Sequence, residues 1–393
     1  MGRVFTGIER LLGQSPRWLR KRARVGLLVH PASVVCDLKH SAEAFVEAFP
    51  GSLKRLFGPQ HGLWGEKQDN MVFSAHEAQT PWKVPAYSLY GNHLAPTEEM
   101  LQGLDVFIVD LQDVGCRVYT YGATLLGCLK ACAEKGLKVL VLDRPNPIGG
   151  RNVEGNVLDT AMISFVGPHP IPMRHGLTLG ELARLFVGEL GLQVDLEVVP
   201  MEGWRRQMYF DQTGLPWVLP SPNLPTLHSC VVYPGQVLLE GTNLSEGRGT
   251  TRPFEIFGAP FIEPFSLKKR LDELRLPGVG FRALYFEPTH GKWAGKRCGG
   301  IQIYVLDRND FRPYLTSLWI IYLVRALFNE SLSWKHPPYE FETHRLPLDL
   351  LTGDPGIRQG LEQGLSPEEL QARWEPQLEE WLNRRERYLV YGN

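Results

Sequence analysis

The chain has 393 residues and a formal net charge of −1, so it has no general electrostatic attraction to nucleic acid or to an anionic membrane. Hydrophobic residues make up 43% of the chain and charged residues 22%, which is typical of globular proteins. A single hydrophobic core rarely serves a chain of this length, and we therefore expect two domains.

Neither the cysteines nor the N-terminal residues indicate export. Six cysteines are present without a Cys-x-x-Cys pair, which favours reduced, mostly buried thiols over a disulfide framework or a zinc site. The first 24 residues are rich in arginine but have no apolar segment of signal-peptide length. We interpret the basic run at 17–22 as a solvated helix end. Because no run of about 18 apolar residues occurs, we expect a cytoplasmic protein without a membrane span.

The first part of the chain alternates apolar strands with helices. Strands are predicted at 25–30, 53–57, 84–90, 105–110 and 138–143, and helices at 41–49, 96–101, 120–135 and 178–190. Continuous apolar strands separated by helices indicate an α/β fold with a parallel sheet that is covered on both faces. The arrangement is Rossmann-like, but no Gly-x-Gly-x-x-Gly follows the first strand and no Walker loop is present. We therefore expect no nucleotide cofactor.

The second part of the chain is less regular. A strand predicted at 196–200 is expected to begin a second domain, so we divide the chain into domains at 1–190 and 191–393. Residues 217–258 have little periodicity and many prolines and glycines, and irregular stretches of that length are usually functional. A helix at 265–276, strands at 280–287 and 300–305, and a helical C-terminus are predicted to follow.

Polar clusters follow three of the predicted strands, and a fourth cluster occupies the irregular region. Ligands of open α/β sheets bind outside the carboxyl ends of the strands, so we expect these clusters to converge on one site. The first cluster is the loop at 58–66, which contains Gln60, His61 and Glu66. An imidazole close to a carboxylate is suited to acid–base chemistry. The alternative is a turn in which His61 bonds backbone groups and Glu66 is solvated.

The second cluster combines acids, an arginine and tyrosines, a set suited to a polyhydroxylated anionic ligand because arginine binds carboxylates bidentately. Its candidate residues are Asp110, Gln112, Arg117, Tyr119 and Tyr121. The alternative is purely structural. In that case Asp110 caps a helix, and Asp113 forms an ion pair with Arg117.

The remaining clusters lie after the strand at 138–143 and in the irregular region. Their candidate residues are Asn146, Arg174, His175, Asn223, Glu240, Asn243, Glu246 and Arg248. The alternatives are an Asp143–Arg144 ion pair and a polar surface loop whose charges pair with one another. A metal site built from His61, Asp110 and His175 has little support from their spacing. The zinc motif His-Glu-x-x-His is absent, so we expect no metal. The nucleophile motif Gly-x-Ser-x-Gly is absent as well.

These blocks, in this order, resemble the NamZ exo-β-N-acetylmuramidases, a family of bacterial glycoside hydrolases. The matching segments are 58–62, 110–115 with 117 and 119–121, 143–147, 169–172, 174–176, 220–225, 240–242, 247–250 and 298–300. The resemblance implies release of terminal N-acetylmuramic acid from the non-reducing end of peptidoglycan fragments, in cell-wall turnover and recycling. The partner is then a peptidoglycan-derived amino sugar or muropeptide. The resemblance also implies a Rossmann-like domain joined to a smaller α/β domain, with the site in the cleft between them.

Glycoside hydrolysis normally needs two carboxyl groups. Many family members look like Pro-Glu-His-Gly where this chain has Pro-Gln-His-Gly, and the neutral Gln60 cannot act as an acid. We therefore predict that Glu66, the nearest acid, is the general acid and that His61 tunes it. Glu240 or Asp110 is the predicted second carboxylate.

The lactyl carboxylate of the sugar is expected to bind an arginine, either Arg117 or Arg248. Two other functions stay open at this stage: a non-catalytic sugar- or peptidoglycan-fragment-binding protein, and a metal-dependent hydrolase.

Overall fold

The computed structural model describes residues 2–14, 16, 19, 23–68 and 71–392. The basic run at 17–22 lies outside the described residues except for Leu19. The strands are β1 (Val25–Leu28), β2 (Leu53–Gly58), β3 (Ala86–Ser88), β4 (Val106–Val109), β5 (Lys138–Leu142), β6 (Glu154–Val157), β7 (Pro172–Arg174), β8 (Leu196–Val199), β9 (Ile256–Ala259), β10 (Val279–Phe286) and β11 (Cys298–Val305).

The helices cover the sheets and fill much of the C-terminal half. They are α1 (Gly7–Gly13), α2 (Ser41–Ala48), α3 (Glu98–Leu101), α4 (Tyr121–Lys135), α5 (Leu179–Leu190), α6 (Leu227–Gln236), α7 (Pro264–Glu273), α8 (Pro313–Phe328), α9 (Pro347–Thr352), α10 (Pro355–Glu362) and α11 (Pro367–Arg385). None of these helices is long and apolar enough to cross a membrane.

The first domain is built on a parallel sheet with the strand order β3-β2-β1-β4-β5-β8. Every neighbouring pair in it is parallel. The central strands β1 and β4 are buried along their whole length, which explains their uninterrupted apolar sequences. The predicted Rossmann-like sheet is therefore confirmed, including the parallel pairing of the strands at 25–28, 53–58, 106–109 and 138–142.

The strand β8 does not begin the second domain, and that expectation is wrong. It pairs in parallel with β5 and forms an edge of the first sheet. A parallel neighbour requires a crossover connection, and α5 supplies it between the β5 region and β8. As an edge strand, β8 is only partly buried, so its sequence carries a weaker apolar signal than β1 or β4.

The second, smaller α/β domain contains an antiparallel sheet with the order β10-β11-β9. Helix α8 is largely buried and packs against α6. The two helices approach closely at Gly235, where a β-carbon would lie 1.9 Å from the carbonyl oxygen of Pro313. The C-terminal helix α11 returns to the hairpin of β6 and β7 and packs on β6, so the C-terminal segment contacts the first half of the chain.

Candidate active site

A pocket opens where the loops after β2 and β4 meet three segments of the C-terminal half. The free space of about 420 Å³ at this pocket includes the open solvent at its mouth. Most of the lining side chains are buried, so the site is a pocket rather than a shallow groove. It is lined by Gln60, His61, Val118, Tyr119, Thr120, Val166, Ser221, Leu224, Tyr233, Glu240, Arg248, Phe254, Tyr339 and Glu340.

Two carboxyl groups line this pocket, and the first is Glu240. It lies in the 3-10 turn Val237–Gly241, which continues directly from α6. Arg248 Nη2 is 2.7 Å from Oε1 of Glu240, and the Tyr339 hydroxyl donates a hydrogen bond of 2.7 Å to Oε2. Both carboxylate oxygens are therefore held in place by neighbours that also line the pocket.

The second carboxyl group is Glu340, which is 4% exposed. The Tyr90 hydroxyl donates to its Oε2 at 2.7 Å, and Gln60 Nε2 donates to its Oε1 at 3.1 Å. Burial raises the pKa of Glu340 to about 7, and the nearby Glu240 carboxylate adds to this rise, against the two hydrogen bonds. A carboxyl group with this pKa is partly protonated at neutral pH and is suited to general acid catalysis.

Gln60 is itself oriented by the first domain. The Thr120 hydroxyl donates to Gln60 Oε1 at 2.6 Å, which leaves the Gln60 amide nitrogen to face Glu340. Gln60 cannot act as an acid itself, but it donates a hydrogen bond to the carboxyl group of Glu340, which lies 280 residues further along the chain.

The backbone is strained around this pocket. His61, Phe254 and Glu340 all have positive φ, with values of 70°, 64° and 46°. Residues with a β-carbon rarely adopt this conformation, and such residues cluster at functional sites because the surrounding structure must hold them there. Phe341, which follows Glu340, has a φ of 68°.

A buried chain of alternating charges lies behind Glu240. Lys292 Nζ is 3.0 Å from Oε2 of Glu246, and Arg248 Nη1 is 2.8 Å from Oε1 of the same residue. Burial would lower the pKa of Arg248, but Glu240 and Glu246 together raise it well above its usual value. Arg248 therefore stays charged and fixes Glu240, while Lys292 and Glu246 fix Arg248.

The loop at 58–66 brings His61 into the pocket but carries Glu66 away from it. His61 Nδ1 is 2.7 Å from the carbonyl oxygen of Lys67, and its Nε2 is 3.2 Å from the Ser221 hydroxyl. Two successive turns, closed by the amides of Gly62 and Gly65, then lead the chain outward. The Glu66 side chain is 50% exposed and lies 3.5 Å from Lys67 Nζ, outside the pocket lining.

The cluster after β4 divides between the pocket and the scaffold. Asp110 is fully buried and forms a bidentate ion pair with Arg144, at 2.6 Å and 2.8 Å, away from the pocket. The Arg144 side chain therefore forms its ion pair with Asp110. The structural alternative, in which it pairs with Asp143, is wrong. Gln112 donates to the carbonyl oxygens of Asp113 and Pro145, so its amide connects two loops.

Arg117 is buried and donates to four backbone carbonyl oxygens. Its Nη1 bonds Asn156 and Ile171, each at 3.1 Å, and its Nη2 bonds Leu351 and Thr352, each at 2.8 Å. It neither lines the pocket nor forms an ion pair with Asp113. The structure therefore gives Arg117 a role in joining segments of the fold and leaves it out of reach of a pocket ligand.

Of the two predicted tyrosines after β4, Tyr119 reaches the pocket and Tyr121 does not. Tyr119 lines it, and the hydroxyls of Tyr119 and Tyr121 both donate to the carbonyl oxygen of Pro220, at 2.7 Å and 3.1 Å. These bonds anchor the loop that carries Ser221. Asn223 in the same loop donates to the carbonyl oxygen of Gln68 at 2.6 Å, outside the pocket lining.

The other predicted binding residues are engaged in backbone contacts. Asn146 Nδ2 donates to the carbonyl oxygen of Leu177. Arg174 Nη2 donates to the Ile148 carbonyl oxygen, His175 Nδ1 accepts from an amide, and Asn243 Nδ2 donates to the Ser331 carbonyl oxygen. Like Glu246, none of them is part of the pocket lining. The loop after β5 therefore belongs to the scaffold. The clusters that do converge on the pocket are the one after β2, part of the one after β4, and the one in the irregular region.

Metal ligation was a further possibility for His61, Asp110 and His175. Across the described residues no group of three or more His, Cys, Asp or Glu side chains is arranged to hold a metal ion. The three residues have separate partners: a carbonyl oxygen for His61, Arg144 for Asp110, and a backbone amide for His175.

Comparison with known proteins identifies the family. The N-terminal model of the exo-β-N-acetylmuramidase NamZ matches residues 25–228, and the C-terminal model matches residues 231–391. The chain belongs to the NamZ family. The peptidoglycan β-N-acetylmuramidase NamZ of Bacillus subtilis (strain 168) is 45% identical over 390 residues, which cover 99% of this chain and 92% of that protein.

Two solved structures share the NamZ-family fold of this chain. Both are DUF1343 family proteins of Bacteroides fragilis NCTC 9343. One has a TM-score of 0.89 at 34% identity, with 99% of each chain covered. The other has a TM-score of 0.77 at 30% identity, with both chains fully covered. The resemblance expected from the ordered motifs is thus confirmed over nearly the whole chain.

The most important residue that sequence reasoning missed is Glu340. Its segment, Pro337-Pro338-Tyr339-Glu340-Phe341, was included in a C-terminus predicted to be helical. Two successive prolines in that region are a break signal, because proline removes a backbone donor and restricts the preceding residue. An acid between two aromatic residues directly after such a break is the feature that marks this segment as a candidate.

Proposed function

We propose that this protein is an exo-β-N-acetylmuramidase that releases N-acetylmuramic acid from the non-reducing end of peptidoglycan fragments. The observation that carries the proposal is the pair of carboxyl groups in one pocket, with Glu340 pushed towards the protonated form by burial and Glu240 paired with Arg248. Two carboxyl groups with different environments are the usual equipment of a glycoside hydrolase. The name of the Bacillus subtilis relative supports the same substrate class.

In the proposed reaction, protonated Glu340 donates its proton to the glycosidic oxygen while the bond from that oxygen to the anomeric carbon breaks. The leaving sugar departs as an alcohol. Water then adds its hydroxyl group to the anomeric carbon, and its other proton returns to the Glu340 carboxylate. Glu240 is the second carboxylate. It stabilises the positive charge that develops on the terminal sugar, or it orients the acetamido group if that group assists.

The shape of the site supports an exo mode of action. The lining is mostly buried, so a terminal sugar fits more readily than the middle of a glycan strand. Arg248 is the arginine of the pocket lining, and its two terminal nitrogens hold Glu240 and Glu246. We assign the recognition of the lactyl carboxylate to this guanidinium, because arginine binds carboxylates through charge-assisted hydrogen bonds.

Glu340→Gln tests the assignment of the acid. Loss of a general acid typically costs about 10² to 10⁴ in rate, and substrates with a good leaving group need it less. The variant should therefore lose far more kcat on N-acetylmuramyl-β-1,4-N-acetylglucosamine than on an aryl N-acetyl-β-muramide. Glu240→Gln should slow both substrates.

Glu66→Gln is the matched control, because it removes a half-exposed carboxylate of the neighbouring loop. It should keep activity on both substrates within about twofold. A disaccharide-specific loss in Glu66→Gln, with Glu340→Gln fully active, would return the acid role to Glu66. A wild-type protein that binds the sugar but releases none of it would contradict the hydrolase assignment and favour a binding protein.

A further inference from the structure

An exposed aromatic surface borders the pocket beside Glu340. We call it the aromatic rim and define it as Phe73, Phe165 and Phe341. The rings of Phe73 and Phe341 are parallel within 4° with centroids 5.9 Å apart, and Phe165 meets Phe341 edge-on at 5.4 Å. Phe73 is 55% exposed and Phe341 42%. Single exposed apolar residues are common, but a contiguous group beside a site marks a binding surface.

The rim is built onto the proposed acid. Phe341 directly follows Glu340, and both residues have positive φ, so one strained turn holds the carboxyl group in the pocket and places the phenyl ring in the rim. Tyr90, which lies just after β3, contacts both Glu340 and the rim. Its hydroxyl donates to Glu340, and its ring packs against Phe73, Phe165 and Phe341.

We propose that the aromatic rim binds the sugar on the leaving side of the scissile bond, an N-acetylhexosamine. This inference rests on the proposed function, in which Glu340 protonates the glycosidic oxygen. That oxygen belongs to the leaving sugar, so the leaving sugar must lie next to Glu340 on the side away from the terminal sugar. The rim is the aromatic surface connected to Glu340, through Phe341 in the same turn and through Tyr90, and we therefore assign the leaving sugar to it.

The chemistry of the rim fits this occupant. A gluco-configured pyranose has equatorial substituents, so its two faces present axial C–H groups and are apolar. Aromatic rings pack against such faces and exclude water, while the hydroxyl and acetamido groups at the ring edge remain hydrated. Val166, the neighbour of Phe165 in the chain, lines the pocket itself.

The test compares the affinities of two non-hydrolysable ligands measured by calorimetry. They are N-acetylmuramic acid and the thio-linked disaccharide of N-acetylmuramic acid and N-acetylglucosamine. The wild type should bind the disaccharide about three- to tenfold more tightly, which is the range expected for one aromatic stacking contact. In Phe73→Ala this advantage should disappear, while the affinity for N-acetylmuramic acid stays unchanged. Phe73→Trp should keep the advantage.

Phe265→Ala is the control, since Phe265 is 63% exposed on α7 and is not part of the pocket lining. An unchanged disaccharide advantage in Phe73→Ala, or equal losses for both ligands, overturns the proposal. So does a loss that appears only when a stem peptide is attached to the lactyl group, because the rim then binds peptide. If the wild type hydrolyses nothing yet Phe73→Ala removes the advantage, the rim subsite stands and the hydrolase assignment fails.

Discussion

Glu240 and Glu340 line the same pocket, but their neighbours differ in charge. Glu240 faces the guanidinium of Arg248, whereas Glu340 accepts hydrogen bonds from the neutral groups of Tyr90 and Gln60. A nearby cation favours the charged form of a carboxyl group. Burial disfavours that form, and neutral hydrogen-bond donors offset this only in part. This asymmetry supports the proposed assignment of Glu340, whose pKa burial raises to about 7, as the proton donor.

The pH dependence of catalysis follows from the pKa of Glu340. Since the free enzyme must hold a proton on Glu340, kcat/KM for the disaccharide should fall above about pH 7, approaching tenfold per pH unit. Initial rates between about pH 5 and about pH 9, measured at constant ionic strength, would define this limb. The aryl glycoside should show a flatter alkaline limb. Identical limbs for the two substrates would contradict the assignment of Glu340 as the acid.

Gln60→Glu introduces a carboxyl group at the position of a neutral donor. Gln60 Nε2 lies 3.1 Å from Glu340 Oε1, and its hydrogen bond lowers the pKa of Glu340. Replacing it removes that bond and adds a like charge, so the two carboxyl groups should share a proton and titrate as a pair. The alkaline limb should move to higher pH. Gln60→Met, which removes only the bond, should give a smaller upward shift, and a downward shift in Gln60→Glu would contradict the geometry.

The irregular region and the loop after β2 could be identified from residue types alone. His61, Glu240 and Arg248 stood out because irregular segments rich in glycine held charged and aromatic groups together, and all three line the pocket. Asp110 and Arg117 stood out for the same reason, yet both are buried in the scaffold. Residue type cannot separate the two cases, because a buried carbonyl oxygen and a sugar hydroxyl require the same donors.

Arg117 acts at the scale of elements, because its guanidinium joins the loop after β4 to β6, to the segment before β7 and to the end of α9. Arg117→Lys keeps the charge but cannot reach four carbonyl oxygens from one ammonium group. Because buried acceptors lose their donors, we expect a loss of about 3 kcal/mol in the free energy of unfolding. Urea unfolding would measure it.

The exposed Arg205 supplies the control, and Arg205→Lys should change stability by less than about 0.5 kcal/mol. Folded Arg117→Lys should keep the KM of the wild type for the disaccharide. A large rise in KM without a loss of stability would instead mean that Arg117 binds the lactyl carboxylate.

The strands of the first sheet were predictable because burial on both faces makes them continuous apolar runs. The predicted strands at 25–30, 53–57, 105–110 and 138–143 match β1, β2, β4 and β5 to within two residues at each end. The domain membership of β8 was not predictable, since it depends on the path of α5 across the sheet and not on the sequence of β8. Glu340 was missed for a similar reason: its contact with Gln60 spans 280 residues.

The pocket depends on the whole molecule, because its walls come from both family-defined halves. Gln60, His61 and Tyr119 come from residues 25–228, and Glu240 and Glu340 come from residues 231–391. The Gln60–Glu340 hydrogen bond and the contacts of Arg117 with α9 connect the same halves. A sugar in the pocket should therefore stabilise both halves together.

Binding of N-acetylmuramic acid should raise the free energy of unfolding by about 2.7 kcal/mol at a ligand concentration of 100 times Kd. Because the ligand contacts residues of both halves, amide hydrogen exchange should slow in β4 of the first sheet and in β11 of the second. Exchange measured by mass spectrometry with and without the sugar would resolve the two regions. N-acetylglucosamine, which lacks the lactyl carboxylate, should protect both regions less at the same concentration. Protection confined to β4, with exchange in β11 unaffected, would mean that the second half contributes no binding energy, and the roles of Glu240, Arg248 and Glu340 would then have to be abandoned together.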